Sequence, residues 1–267
     1  SGQLMDRSWL AATRGQYDDD TNLAARQAAF RHLVAADPMP PPLSDFSVLA
    51  AKTVLDVGCG NGLFLAAACR GGALGIGVDL SAGMLAVASS ASPSAPLLRA
   101  DAVRLPLADR SVDVALALWM LYHVQDRVAA VAELRRVTRP EGYVVVSTNT
   151  GERSFLDDLV VGALEQVIGR PVGAWLPPLG FTSENGAAQL STGFERVETH
   201  TGQNRFEFTD VEVVVRYVGS MLGAIEAQNG PFDRQALLTE IGERTAAMMA
   251  ERGRVEFSQR RAVFVCS

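Results

Sequence analysis

The sequence predicts an α/β fold built on a doubly wound parallel sheet with helices on both faces. Three observations predict it. Short apolar runs at 54–57, 73–80, 95–100 and 111–118 alternate with Ala-rich or amphipathic stretches of helical length, the pattern of successive βα units. The first run breaks into Gly58, Gly60 and Gly62 and hands over to an apolar segment, 63–69, that reads as a helix. An acid, Asp79, closes the second run about twenty residues past Gly58, where a carboxylate can meet a ribose. At 267 residues and 48% hydrophobic content the chain can bury one large α/β domain, with or without an inserted cap.

The stretch Val54-Leu55-Asp56-Val57-Gly58-Cys59-Gly60-Asn61-Gly62 is the most informative. Its glycines let the backbone turn sharply and come close to a ligand, because no Cβ intervenes. The helix that follows offers unpaired N–H groups and the positive end of its dipole. This is a nucleotide site, and spacing decides which nucleotide. A dinucleotide fingerprint, G-x-G-x-x-G, is met at Gly58 and Gly60 but fails at Leu63. The pattern D-x-G-x-G-x-G at 56–62 resembles motif I of the class I methyltransferases that use S-adenosylmethionine (SAM). The resemblance implies a seven-stranded, Rossmann-like sheet with a helical cap or lid. It implies that the loop of Gly58, Cys59 and Gly60 lies against the methionine and ribose parts of SAM. In that family Asp56 orients loop amides or, through water, the amino group.

The elements then follow in order. Residues 1–51 precede the first strand. Residues 23–36 are Ala-rich with apolar residues at helical spacing after Asp20-Thr21-Asn22, and predict a helix. Pro38 and Pro40 to Pro42 end it, and 43–50 predict a further short helical turn. Many small-molecule methyltransferases close an N-terminal tyrosine over SAM. Tyr17 is the candidate here, against the plain reading of a surface tyrosine. Asp79 ends the second strand and can accept from both ribose hydroxyls, since a carboxylate has two oxygens. That spacing alone fits NAD as well as SAM. Leu80 is expected beside the adenine. Ser81 caps a helix at 82–90, and the resemblance implies that Met84, in its first turn, touches ribose or adenine.

The third strand, 95–100, ends at Asp101-Ala102. The phrase Asp101-Ala102-Val103-Arg104-Leu105-Pro106 is similar to the family's D-A-x-x-L-P. By that resemblance Asp101 accepts from the exocyclic amine of adenine and the Ala102 N–H reaches a ring nitrogen. With motif I, this phrase decides for SAM over NAD. The fourth strand, 111–118, delivers Leu118, Trp119, Met120 and His123 beyond its carboxyl end, where doubly wound sheets bind ligands. Leu118 is implied to offer its carbonyl to the SAM amine, and Trp119 to wall the site. His123 matches the family's L-x-H-V. A histidine suits a general base, and the alternative is a helix-capping or SAM-contacting residue. Residues 124–137 predict an amphipathic helix with Glu133, Arg135 and Arg136 on its wet side. The turn Leu134 to Gly142 is similar to the family's L-x-R-V-L-x-P-G-G, with Glu141 where glycine is usual, and leads into a strand at 143–147.

Beyond 150 the resemblance loosens. Residues 154–168 predict a lid helix, 194–201 and 205–208 strand segments, and 236–252 a helix stopped by Gly253. The β-branched stretch 211–222 favours strand by composition, but Asp210 as a cap and its apolar spacing favour helix. Residues 254–266 predict a final strand, the antiparallel hairpin partner of the strand near 194–201. The implied organisation is an N-terminal cap at 1–51, a SAM-binding core at 52–150, a lid and substrate region at 151–253, and the last core strand at 254–267.

Charge and composition narrow the function. A net charge of −6 argues against a general binder of phosphate backbones, so no nucleic-acid partner is expected. No apolar run is long enough to span a membrane. Ser1-Gly2-Gln3 has no basic segment followed by an apolar one, so no secretory signal is expected. Three scattered cysteines, Cys59, Cys69 and Cys266, make no metal or redox spacing and read as reduced thiols in a cytoplasmic protein. Lys52 is the only lysine beside many arginines and alanines, the mark of a GC-rich genome such as an actinobacterium's.

The resemblance therefore implies a small-molecule methyltransferase of the UbiE, or type 11, kind. SAM is its cofactor, S-adenosylhomocysteine its product, and no metal is needed. The expected acceptor is an amine or hydroxyl of a natural-product intermediate, such as an aminosugar or aminoglycoside in antibiotic biosynthesis. Quinone or phenol O-methylation is the near alternative. An RNA methyltransferase and a catalytically silent SAM-binding protein are the alternatives of other classes. The chain is expected to act as a monomer or homodimer.

Overall fold

The computed structural model describes residues 21–152 and 155–267. In chain order its elements are α1 (Thr21–Ala28), β1 (Leu33–Ala36), β2 (Thr53–Val57), α2 (Leu63–Arg70), β3 (Leu74–Asp79), α3 (Ala82–Ala91), β4 (Leu97–Arg99), β5 (Val112–Leu118), α4 (Arg127–Val137), β6 (Thr138–Asn149), α5 (Phe155–Ile168), α6 (Gly186–Leu190), β7 (Val197–Phe208), α7 (Val211–Gly219), α8 (Leu222–Asn229), α9 (Arg234–Arg252) and β8 (Val255–Cys266). Short 3-10 turns occupy Ala29–His32, Phe46–Leu49 and Leu121–His123.

The strand order is β1-β7-β8-β6-β5-β2-β3-β4. From β6 to β4 neighbouring strands run parallel, with Leu55 opposite Ile76 on one side and Ala115 on the other. β8 then joins β6 antiparallel. Successive residues of the central strands belong to two hydrophobic clusters. Leu55, Ala115, Ala117, Val144 and Val146 fall in one, Val54, Val114, Leu116, Leu118 and Val145 in the other. That alternation is the period of two expected of a sheet covered on both faces.

The residues group into two units. One comprises 38–151, 179–202 and 260–267 and contains the parallel strands. The other comprises 21–37, 152–178 and 203–259 of the described chain and has its own apolar cluster around Val160, Leu164, Phe206, Val218, Ile225 and Ile241. Strands β7 and β8 pass from one unit into the other.

Several sequence expectations need correction. Among the described residues the sheet has eight strands where seven were implied, with β1 at one edge. The helix expected at 23–36 stops at Ala28, and Leu33–Ala36 is extended. These residues pair antiparallel with β7, Leu33 opposite Phe206 and Ala36 opposite Asn204. The Asp37 N–H continues the ladder to the Gln203 carbonyl at 2.9 Å. An otherwise open strand edge thus outweighs the local helical propensity of alanine. The separate strand segments expected at 194–201 and 205–208 are one strand, β7. β8 is its neighbour, and Arg196 and Ser267 exchange backbone hydrogen bonds at 3.0 Å. The link between them is α7, α8 and α9, however, not a hairpin turn. Residues 211–219 are helical, capped by Asp210 on the Glu212 N–H at 2.9 Å, and α6 and α8 lie where no element was predicted. No helix among the described residues is long and apolar enough to cross a membrane.

Candidate active site

The site is built where β2 ends. Asp56 is the last but one residue of that strand and is 2% exposed. Burial, then the carboxylate of Asp79, pushes its pKa up to about 7, with a backbone hydrogen bond at Leu65 opposing. Its Oδ2 is buried without a hydrogen-bond partner. The chain turns directly above it. Gly58 has a φ of +69°, a conformation that L side chains rarely adopt, and a Cβ there would stand 2.8 Å from Cβ of Met120. The N–H groups of Gly58 and Cys59 both donate to the Val78 carbonyl, at 2.7 and 3.0 Å. Gly62, at φ +81°, leads into α2. Cys59 is buried, and burial together with Asp56 and Asp79 pushes its thiol pKa up, so it stays protonated.

Asp79 ties the loop to the neighbouring strand. Its Oδ2 accepts from the Gly60 N–H and its Oδ1 from the Ser81 N–H, both at 2.8 Å. Each carboxylate oxygen has about two lone-pair sites, so each keeps one for another donor. Leu80 beside it is 40% exposed. Ser81 caps α3 through the Met84 N–H at 3.1 Å. Met84, in the first turn of α3, is buried at 1% exposed. Asp101 and Ala102 follow β4 in a tight turn. The Asp101 Oδ1 accepts from the Val103 N–H at 3.2 Å, and the Asp101 carbonyl from the Arg104 N–H at 2.9 Å.

The carboxyl end of β5 forms the other side. Leu118 is buried, and Trp119 breaks the strand with a φ of +52°. A bulky residue in that region is strained and must be held from outside. Four contacts hold it. Its N–H reaches both the Ser147 carbonyl and the Ser147 Oγ at 3.1 Å, its indole N–H donates to Asn149 Oδ1 at 3.1 Å, and its ring stacks on Phe64 at 5.6 Å. His123 ends the 3-10 turn, half-buried, with its ring 4.4 Å from that of Tyr122. Tyr17 lies outside the described residues. The structure thus brings Asp56, Gly58, Cys59, Gly60 and Asp79 together around one loop, with Met120 against it. Ser147, Asn149 and Phe64 were missed by sequence reasoning. The signal that could have found two of them is the polar run Ser147-Thr148-Asn149, which ends the buried strand β6.

Glu133 and Arg136, partly exposed on α4, do more than face solvent. Both were expected on the wet face of α4, yet they reach across to the 105–109 segment. The Leu105 N–H donates to Glu133 Oε2 at 2.7 Å, and Arg136 donates to the carbonyls of Leu105 and Leu107 at 3.0 and 2.8 Å. Among the described residues no cluster of three or more His, Cys, Asp or Glu could hold a metal ion.

A glycine loop over one strand end, an acid bridging it from the next and an antiparallel strand closing the parallel sheet define a nucleoside-binding domain of the class I methyltransferase type. Comparison with known proteins agrees. Residues 55–146 match the family model described as a methyltransferase domain, and the chain carries a methyltransferase domain of the SAM-dependent type. Malonyl-[acyl-carrier protein] O-methyltransferase of Serratia marcescens is 37% identical over 47% of this chain and 49% of its own length. Demethylmenaquinone methyltransferase of Streptomyces avermitilis is 38% identical over 36% of this chain and 42% of its own. The chain spans about half the length of these curated relatives. The solved YcgJ protein of Bacillus subtilis shares the fold, with a TM-score of 0.55 at 18% identity over 82% of this chain and 94% of its own.

The residues present fit the cofactor of that class. The orphaned buried oxygen of Asp56 suits a cationic ammonium group or a bridging water. Asp79 keeps one acceptor site on each oxygen for a pair of hydroxyls, and the glycine backbone leaves room for close approach.

Proposed function

We propose that the chain moves a methyl group from SAM to an amine or hydroxyl of a small molecule, a natural-product intermediate such as an aminosugar. The observation that supports this most is the Asp79 carboxylate, fixed by two backbone N–H groups with its outer lone pairs left for a ribose. SAM supplies a methyl carbon already activated by its sulfonium leaving group, so the protein's work is alignment and exclusion of water. In this reading Gly58 and Gly60 seat the methionine part, Asp56 faces its amino group, and Asp101 with Ala102 reads the adenine edge. Leu118 and Trp119 border the reacting end. An amine acceptor needs only to arrive uncharged. A hydroxyl acceptor needs a base, and His123 is the residue of the right chemistry beyond β5.

A second reading is O-methylation of a quinol or phenol. Transfer of labelled methyl from SAM to a panel of aminosugars, phenols, quinols and bulk tRNA, with EDTA present, tests both. Label on an aminosugar supports the first reading, and label on a phenol or quinol the second. Label on tRNA overturns both. Binding of S-adenosylhomocysteine without any transfer points to a silent cofactor-binding protein.

A further inference from the structure

We infer that Arg136, with Glu133, is a positioning residue for the turn that reads the adenine of SAM. The inference rests on the cofactor reading above and goes beyond it, since neither side chain is placed to touch the cofactor. The geometry is a fork on a backbone. Arg136 sits at the penultimate position of α4. Its Nε and Nη2 donate to the two oxygens of Glu133, at 2.6 and 2.7 Å, one turn earlier on the same helix. The paired side chains then take both backbone groups of one residue. Glu133 Oε2 accepts the Leu105 N–H at 2.7 Å, and Arg136 Nη2 donates to the Leu105 carbonyl at 3.0 Å. Arg136 Nη1 goes on to the Leu107 carbonyl at 2.8 Å and to Asp109 Oδ1 at 2.7 Å. A planar guanidinium with five donors in fixed directions can do this; an ammonium cannot.

The fork matters because of what Leu105 anchors. Residues 101–104 form a turn closed at both levels, with the Asp101 side chain on the Val103 N–H and the Asp101 carbonyl on the Arg104 N–H. That turn has no strand ladder of its own. Leu105, 4% exposed, is where it meets the core. Fixing both polar groups of Leu105 therefore sets where the Asp101 carboxylate and the Ala102 N–H stand. The charges agree: Arg136 holds the Glu133 carboxyl below its ordinary range, while Glu133 and Asp109 hold the guanidinium charged. A plain surface pair would leave the backbone alone and contribute little.

The test compares S-adenosylhomocysteine with S-inosylhomocysteine, which lacks the exocyclic amine. Calorimetry is run on the full chain, for the wild type and for Arg136→Gln, Arg136→Lys and Glu133→Gln. Val131→Ala, a buried position on the same helix, serves as the destabilised control. The wild type is expected to prefer the adenine ligand by about tenfold or more. Arg136→Gln and Arg136→Lys are expected to reduce that preference to about threefold or less, with affinity for the inosine ligand within about twofold of wild type. Val131→Ala is expected to lower the melting temperature and keep the preference. If the Arg136 variants retain the full preference, or lose it only in step with Val131→Ala, the positioning role is wrong while the cofactor reading stands. If the wild type shows no preference, the adenine reading at Asp101 falls and the inference falls with it.

Discussion

The two units are made of different materials. In the parallel-sheet unit the candidate site is written mainly in backbone: the N–H groups of Gly58 and Cys59 donate to the Val78 carbonyl, and those of Gly60 and Ser81 to the Asp79 carboxylate. In the second unit side-chain packing dominates. Phe206 stacks against Phe208 and Phe257 at 6.2 and 5.6 Å and meets Phe30 edge-on at 5.3 Å. The Trp175 indole donates to Asp157 at 2.5 Å. A backbone cradle is specified by a few glycines and acids at short spacing and suits a constant ligand. An aromatic cluster assembled from three chain segments is specified by packing among residues far apart in sequence and serves the core. On this difference, removing aromatic packing should cost stability alone, while disturbing the cradle should cost cofactor affinity.

The largest expected effect is on the aromatic side. Phe206→Ala removes a ring that is 2% exposed and should cost about 3–5 kcal/mol of stability. Affinity for S-adenosylhomocysteine should stay within about twofold in the folded fraction. Chemical denaturation and calorimetry read the two quantities separately, and a parallel loss of both would break the contrast. Next is Asp79→Ala. It strands the N–H groups of Gly60 and Ser81 and removes the proposed ribose acceptor, so cofactor affinity should fall about 100-fold, the equivalent of about two charged hydrogen bonds. A change under threefold would dismiss the ribose assignment. Gly58→Ala comes third. Its φ of +69° and the nearness of Met120 predict a loss of about 1–2 kcal/mol from the left-handed backbone alone, with weaker cofactor binding. Pairing it with Met120→Ala relieves the contact but not the φ, so a complete rescue would show that sterics against Met120 were the whole cause.

The same difference explains what was legible. The succession of β2, α2, β3, α3, β4 and β5 follows from local periodicity because each strand and helix carries its own apolar pattern, although that pattern does not say that β5 pairs with β2 and not with β4. Asp56, the glycines and Asp79 could be named because short spacing alone brings them together. β1 could not be seen: Leu33–Ala36 is extended only because Asn204 to Phe206, far along the chain, offers an edge. Glu133 and Arg136 read as surface charges because helical periodicity reports which face is wet. It does not report which loop reaches that face. Trp119 was legible as a position, but its strained φ rests on Ser147 and Asn149, about thirty residues away, and no local rule connects them.

The smallest effect per measurement, and the one that sharpens the picture of the cradle most, is the proton on Asp56. The groups around it are Asp79, the Cys59 thiol and the backbone at Leu65. Its carboxyl is raised from an ordinary value near 3.8 to about 7 in the fold. Between those values the folded protein binds more proton than the unfolded chain, so this group makes the cofactor-free protein less stable as pH rises from about 4 to 7. The slope is at most about 1.4 kcal/mol per pH unit. Above about 7 both states are ionised and the slope vanishes. Asp56→Asn removes the ionisation, so its stability curve should lack this descent and cross the wild-type curve, the variant being the more stable at pH 8. A cation placed beside the carboxylate reverses the preference. Saturating S-adenosylhomocysteine, whose ammonium group is assigned to Asp56, should therefore pull the transition down below pH 7 and strengthen binding as pH rises through it. Melting temperatures of wild type and variant from pH 5 to 8, with and without the ligand, separate the two causes. A descent that persists in Asp56→Asn would place the proton elsewhere. A descent that the ligand leaves unchanged would mean that the ammonium group binds away from this acid.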